Sequence, residues 1–324
     1  MKVIIPVAGS GTRLQPHTFS VPKPLLRVAG KTILDYVLAP LKAVQVDEIV
    51  FVVGSMGDRI KEHVAENYDY ATRYVRQEKL LGLGYAMNLA VKEMDNGPVL
   101  IILGDTIVEC DLAKFTGSGE NVLGLRQVDD PQRFGIAEIE GDHIKGVEEK
   151  SLNPKTNLAL IGLYYFSNAQ LLKETLGSHI ESGHLTEGEV QFTDALQGMI
   201  SRGTKFVPYE VQQWYDCGTK ATLLETNAHF LRRLDPPKTT DNSLVIPPVF
   251  VAPTARLENS IVGPNVSVAA GATIENSIIS NSIVNRDASI RNVILERSLV
   301  GPKAHVRGGI QSINVGDSSE IEIS

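Results

Sequence analysis

KVIIPVAGSGTRL, residues 2–14, sets how the chain begins to fold. Residues 3–7 are apolar and run straight into a glycine-containing turn, which reads as a buried strand of a parallel sheet rather than a helix. Gly9 and Gly11 free the backbone beyond that strand, so main-chain N–H groups can approach an anion closely. Being short and interrupted by Pro6, the run is expected to be neither a signal peptide nor a membrane span.

Outward from this strand, apolar runs alternate with amphipathic stretches. A helical stretch is predicted near 31–43, a strand at Glu48–Val53, a helix over 58–67, a short strand at 73–76 and a helix over 84–93. Residues 99–103 form a further apolar strand ending in Gly104-Asp105. This alternation predicts an α/β fold with a largely parallel sheet covered on both faces. Ligands of such sheets gather beyond the carboxyl ends of the strands, so residues 9–13 and 104–105 are where chemistry is expected. Later segments (121–125, Gly135–Glu140, 143–150, Leu158–Phe166) look like hairpins, with a tight turn at Glu140-Gly141-Asp142. Helical patterns return at 170–182 and 193–202, and 214–233 ends in a helix capped by Thr219.

Four prolines (236, 237, 247 and 248) among polar residues place a linker at 235–248, between domains spanning 1–234 and 249–324. Beyond it the period changes. Val251, Leu257, Val262, Val268, Ile274, Ile279, Val284, Ile290, Leu295, Val300 and Val306 recur at steps of five or six, with small and turn-forming residues between them. That is the hexapeptide pattern of a parallel β-helix, each short strand pointing one aliphatic residue inward. A β-sandwich would space its strands at about 8–12 residues. About three coils are expected, and the open ends of so short a stack favour a homo-oligomer.

Composition narrows the function. The chain has 324 residues, 43% of them hydrophobic, enough for sizeable cores and against wholesale disorder. A net charge of −7 argues against a general nucleic-acid binder. Two distant cysteines, Cys110 and Cys217, exclude a disulfide scaffold or zinc cage and point to a reducing cytoplasm.

The glycine loop fits neither common nucleotide signature. Gly30-Lys31-Thr32 lacks the earlier glycine of a phosphate-binding P-loop, since Leu25 stands there, and Leu14 replaces the third glycine of a dinucleotide fingerprint. What remains is a glycine turn with Arg13 beyond it and Lys23 within Pro22-Lys23-Pro24.

The stretch GSGTRLQPHTFSVPKPLL, residues 9–26, resembles the signature of the sugar-1-phosphate nucleotidyltransferases, the family of glucose-1-phosphate thymidylyltransferases and uridylyltransferases. The resemblance covers about residues 1–233 and implies a Rossmann-like catalytic domain with a mixed, mostly parallel sheet, followed by a left-handed β-helix. It further implies attack of a sugar 1-phosphate on the α-phosphate of a nucleoside triphosphate, releasing pyrophosphate. Both partners are anionic, so cations must neutralise them. Arg13 and Lys23 take that catalytic role by the resemblance; Ala8, Gly9, Gly11, Thr12, Gln77 and Gly82 bind the nucleotide, with Asp105 beside it. Asp105 and Asp216 hold Mg2+ by the resemblance, an ion that prefers oxygen ligands; the alternative for Asp216 read alone is a helix cap.

Gly135, Glu149, Lys150, Gly162 and Tyr164 match sugar-phosphate positions, whereas Asp194 reads as structural or supporting. The family usually has proline after the lysine; this chain has Ser151. The expected partners are UTP or dTTP and a sugar 1-phosphate, with no nucleic acid and no membrane. Two alternatives stand beside this: a bifunctional enzyme whose β-helix also transfers acetyl groups, with His305 its one histidine, and a non-enzymatic regulator.

Overall fold

The structure, a computed structural model, describes residues 1–92, 94–235, 242–308, 310–311 and 314–322. The chain divides into two compact units, residues 1–9 with 36–214 and residues 10–35 with 215–324.

The first unit is built on a mixed nine-stranded sheet. Lys2–Val7 lies at its centre, parallel to Glu48–Val53 on one side and to Val99–Ile102 on the other; Thr72–Arg76 extends the parallel part. Leu158–Phe166 runs antiparallel to Val99–Ile102 and carries the sheet on to the hairpin Gly135–Glu140/His143–Glu149, whose turn holds Gly141 at φ 65°. Ile4, Val50, Val52 and Ile101 pack on one face against the helices Leu83–Val91, Gln170–Glu181 and Phe192–Ser201. Val3, Ile5, Ile49 and Phe51 on the other face are also fully buried, so both faces are covered as expected. Pro6 is tolerated in a central strand because its carbonyl faces Gly104 N–H, past the point where the ladder with Val99–Ile102 has ended at Ile4–Ile101.

Several elements differ from the sequence reading, among them the unpredicted strands Thr106–Glu109 and Gln213–Asp216 and helix Leu112–Gly117. The stretch 31–43 is not one helix: Lys31–Thr32 pairs with Arg27–Val28, Ile33–Leu38 is helical, and a 3-10 turn containing Pro40 follows. Phe206–Glu210 is an unpredicted strand, parallel to Asn121–Gln127 at the sheet's edge, where Pro208 costs no essential ladder bond. The expected helix over 84–93 runs Leu83–Val91; Glu93 lies outside the described residues.

The second unit contains residues 10–35, which include Gly11 of the glycine turn, together with the helix Lys220–Leu231 and the β-helix. Three parallel sheets of five strands form the β-helix, beginning with Leu244–Val245, Val249–Val251 and Arg256–Glu258. Of the expected linker at 235–248, residues 236–241 lie outside the described residues. Among the described residues there are five strands per face rather than about three coils, because the stack begins at Leu244 and continues past Val306 to Glu322, and partners such as Ile261↔Ile278 and Ile278↔Ile294 advance only 17 and 16 residues per turn. Val262, Ile279, Leu295 and their equivalents fill the interior. Asn259, Asn276, Asn281, Asn292 and Asp287 turn the corners with φ between 46° and 60°, the left-handed region that short polar side chains tolerate best.

Candidate active site

In the first unit, the carboxyl ends of three parallel strands, Lys2–Val7, Thr72–Arg76 and Val99–Ile102, bring Ala8, Gly9, Gln77 and Asp105 to one edge of the sheet. Gln77 follows Thr72–Arg76; its N–H donates to Val53 O at 2.8 Å, and its buried side-chain amide donates to Lys79 O at 3.1 Å. Asp105 stands beyond Gly104, where a Cβ would lie 2.4 Å from Val7 Cγ1 and 2.9 Å from Pro6 O. Gly54 is equally constrained, with a Cβ position 2.8 Å from Ala8 O. Gly104 was marked in the sequence with Asp105 but Gly54 was not, and together they are what let these strand ends lie so close.

Gly82 adopts φ 98° at the start of the helix Leu83–Val91, and a Cβ there would meet Val190 O at 2.7 Å. Its observed close approach is therefore to the chain's own backbone, which Gly84 N–H reinforces by donating to Val190 O at 2.8 Å.

Glu149 ends the strand His143–Glu149 and accepts a 2.6 Å hydrogen bond from the Thr193 hydroxyl at the start of the helix Phe192–Ser201. Burial raises the Glu149 carboxyl above its ordinary range; the Thr193 bond and the Lys150 charge oppose that rise. Gly135 lies against this pair: a Cβ would sit 2.9 Å from Thr193 Oγ1 and 3.0 Å from Glu149 Oε2. Thr193 was missed in the sequence, although its neighbour Asp194 drew notice; Asp194 accepts from the Thr186 hydroxyl at 2.7 Å.

Lys150 Nζ meets Glu187 Oε2 at 2.6 Å on the surface, and this hydrogen bond raises the lysine pKa. A proline at 151 would drive residue 150 toward extended backbone. Lys150 instead has φ 41°, which Ser151 permits.

Gly162, at φ 79°, packs on Leu103, whose Cδ1 would be 2.4 Å from an added Cβ. Tyr164 is buried edge-on against Phe192 with ring centroids 5.2 Å apart. Burial and then the Glu149 charge raise its phenol pKa, so it stays neutral.

The second unit carries Gly11, Thr12, Arg13, Lys23 and Asp216. Gly11 has φ 62°, its carbonyl accepts from the Thr18 hydroxyl at 2.9 Å, and an added Cβ would lie 3.4 Å from Lys23 Cβ. Thr12 and Arg13 form a single 3-10 turn with Leu14, and Lys23 is buried in another. Asp216 ends the strand Gln213–Asp216; Thr219 is the cap of the helix Lys220–Leu231, with a reciprocal Thr222 bond, so Asp216 is not needed there. The Arg13 guanidinium and the Asp216 carboxylate converge on Gly218: a Cβ on that residue would lie 2.9 Å from Arg13 Nη2 and 2.8 Å from Asp216 Oδ1.

No group of three or more His, Cys, Asp or Glu side chains forms a metal cage among the described residues. Asp105 and Asp216 are single carboxylates, the number magnesium often takes from protein when phosphate oxygens and water complete its shell.

The profile described as nucleotidyl transferase matches residues 2–233, and one described as GlmU-like, C-terminal hexapeptide, matches residues 227–311. The chain belongs to the nucleotidyl transferase family. Within that family, it is 31% identical over 246 residues to the glucose-1-phosphate thymidylyltransferase of Streptomyces antibioticus, covering 73% of this chain and 68% of that protein. It is 33% identical to the bifunctional protein GlmU of Methanococcus vannielii, where the match covers 73% of this chain but 56% of the relative.

A Bacillus anthracis protein assigned as a glucose-1-phosphate thymidylyltransferase, solved with sucrose, superposes with a TM-score of 0.62 at 29% identity, covering 74% and 98% of the two chains. The expected nucleotidyltransferase architecture and the hexapeptide β-helix are thus both present. No helix among the described residues is long and apolar enough to cross a membrane.

Proposed function

We propose that the chain joins a pyrimidine nucleoside triphosphate, UTP or dTTP, to a sugar 1-phosphate, glucose 1-phosphate first among candidates, and releases pyrophosphate. The observation that carries this reading is the gathering of Ala8, Gly9, Gln77 and Asp105 at the carboxyl edge of adjacent parallel strands, where α/β sheets bind ligands. In this reading the glycine loop offers N–H groups to the triphosphate, and Gln77 pairs with the base edge. Arg13 and Lys23 neutralise the phosphates as charge shifts to the leaving pyrophosphate. Glu149 accepts from sugar hydroxyls, and Lys150 exchanges Glu187 for the sugar phosphate. Magnesium, held by Asp105 and Asp216, would withdraw charge from the α-phosphate and fix its orientation. Pyrophosphate release across UTP, dTTP, CTP and GTP against several sugar 1-phosphates tests the proposal. Silence from folded protein with magnesium would overturn it.

Two variants probe the sugar side. Gly135→Ala should push apart Glu149 and Thr193 and raise KM for the sugar phosphate on the order of tenfold, leaving KM for the triphosphate within about twofold. Thr193→Val removes the hydrogen bond that favours the Glu149 carboxylate, so that carboxyl rises further. The acid limb of kcat/KM for the sugar phosphate should consequently move to higher pH; an unmoved limb would remove Glu149 from sugar binding.

A second reading has one observation in its favour, the match of residues 227–311 to the GlmU-like hexapeptide profile. In it, the β-helix transfers an acetyl group to an amino sugar phosphate. His305 is exposed on the strand His305–Arg307. Acetyl-CoA consumption that depends on an amino sugar phosphate and survives Asp105→Asn would establish that activity.

A further inference from the structure

Residues 10–26 hold Arg13 and Lys23 with no regular element longer than three residues, only the turns Thr12–Leu14, His17–Phe19 and Lys23–Leu25. Fixing such a segment costs roughly 1–2 kcal/mol of backbone entropy per residue, so tertiary contacts must hold it. One contact is internal, from the Thr18 hydroxyl to Gly11 O at 2.9 Å. Others come from the far end of the chain. His17 is buried, with Nε2 in hydrogen-bond contact with Asn314 Oδ1, 297 residues away in sequence. Next to it, a Cβ on Gly316 would lie 2.8 Å from Pro16 Cβ and 2.9 Å from Pro16 Cγ. The coil bearing both residues is itself fixed: Gly301 N–H donates to Val315 O at 2.7 Å, and a Cβ on Gly301 would meet the Gly316 carbonyl carbon at 2.5 Å. Burial depresses the His17 pKa, so the ring is neutral near pH 7 and donates to Asn314 through a protonated Nε2.

We infer that the last coil of the β-helix positions the glycine loop, with Asn314 holding His17 and the bare backbone of Gly316 receiving Pro16, so that Arg13 and Lys23 keep the spacing nucleotidyl transfer requires. His17 and Asn314 are positioning residues that act through Arg13 and Lys23. The inference rests on the reading of Arg13 and Lys23 given above and assigns the β-helix a part in the reaction itself. A displacement of about 1 Å in a reacting group costs up to roughly a hundredfold in rate, so loosening one of several anchors is expected to cost less.

The test is kinetic and structural on the full chain. Asn314→Ala and His17→Ala should each lower kcat/KM for the nucleoside triphosphate on the order of tenfold. KM for the sugar phosphate should stay within about twofold, because Gly135, Glu149 and Thr193 make no use of this anchor. His17→Gln, whose amide can donate to Asn314 as the imidazole does, should recover most of the loss, whereas His17→Leu, similar in bulk but without a donor, should not; a residue that merely filled space would be rescued by either. Gly316→Val should reproduce the defect by crowding Pro16. Amide hydrogen exchange gives a readout independent of activity: Asn314→Ala should lose protection over residues 14–20 while the sheet around Lys2–Val7 keeps its own. Unchanged triphosphate kinetics, or unchanged exchange over 14–20, would overturn the inference while leaving the proposed reaction intact. A wild-type protein silent in the substrate matrix would instead defeat the functional reading, and the exchange result would still decide whether this coil holds the loop.

Discussion

Asp105→Asn should lower kcat for pyrophosphate release on the order of 10²–10³-fold, the loss typical when one preorganised charge contact to a transition state is removed. The side chain keeps its shape, and the Thr106 hydroxyl, 3.3 Å from Asp105 Oδ1, keeps an acceptor. What holds the backbone here lies elsewhere. Gly104 fits between Val7 and Pro6 without a Cβ, and Leu103 N–H donates to Gly162 O at 2.9 Å. Melting should therefore be nearly unchanged, separating lost chemistry from lost fold. If the lost charge is a magnesium contact, excess magnesium should restore part of the rate. Activity within about fivefold of wild type at all magnesium concentrations would remove Asp105 from the metal site.

That prediction depends on a placement legible in the sequence: an apolar run closing in Gly104-Asp105 could end only at a strand's carboxyl edge if the neighbouring runs were parallel. The β-helix was legible for a similar reason, since one inward residue every five or six positions has no other simple explanation. Coil number was not, because the steps of five and the strands before Val251 shorten and lengthen the stack in ways a hexapeptide count overlooks. Phe206–Glu210 stayed hidden because Pro208 breaks the strand signal and only its edge position makes proline acceptable.

The pair of Glu149 and Thr193, proposed to face the sugar, was half legible. Glu149 stood out beside Lys150, but Thr193 lies 44 residues on and resembles any helix-start threonine. Least legible was the grouping of residues 10–35 with the β-helix. No local pattern announces that a Cβ on Gly30 would strike the Phe250 ring at 2.6–2.8 Å, or that the glycine's φ of 85° is needed for that packing as well as for the turn.

Asn227→Leu should destabilise the second unit by about 2–6 kcal/mol. Asn227 is fully buried on the helix Lys220–Leu231. Its Oδ1 accepts from Ala29 N–H at 2.8 Å and from the Ser267 hydroxyl at 2.6 Å, while Nδ2 donates to Asn265 O at 3.4 Å. One amide thereby ties the Ala29-Gly30 turn, the helix and a β-helix strand together. Leucine has nearly the same size and higher helix propensity, so neither a cavity nor a weaker helix would account for the loss. The loss would come from two buried donors left without an acceptor, each costing roughly 1–3 kcal/mol.

The partners should not respond alike. Ser267→Ala removes one stranded donor, so in the Asn227→Leu background it should recover about 1 kcal/mol or more, whereas in the wild type it should destabilise. The Ala29 N–H belongs to the backbone and cannot be deleted by such a change, so recovery should be incomplete. Because two units need not unfold together, the quantity to follow is the midpoint of the transition that Asn227→Leu moves, not one global free energy. A midpoint within about 2 °C of wild type would show that water or a shifted backbone satisfies Ala29 and Ser267 without the amide.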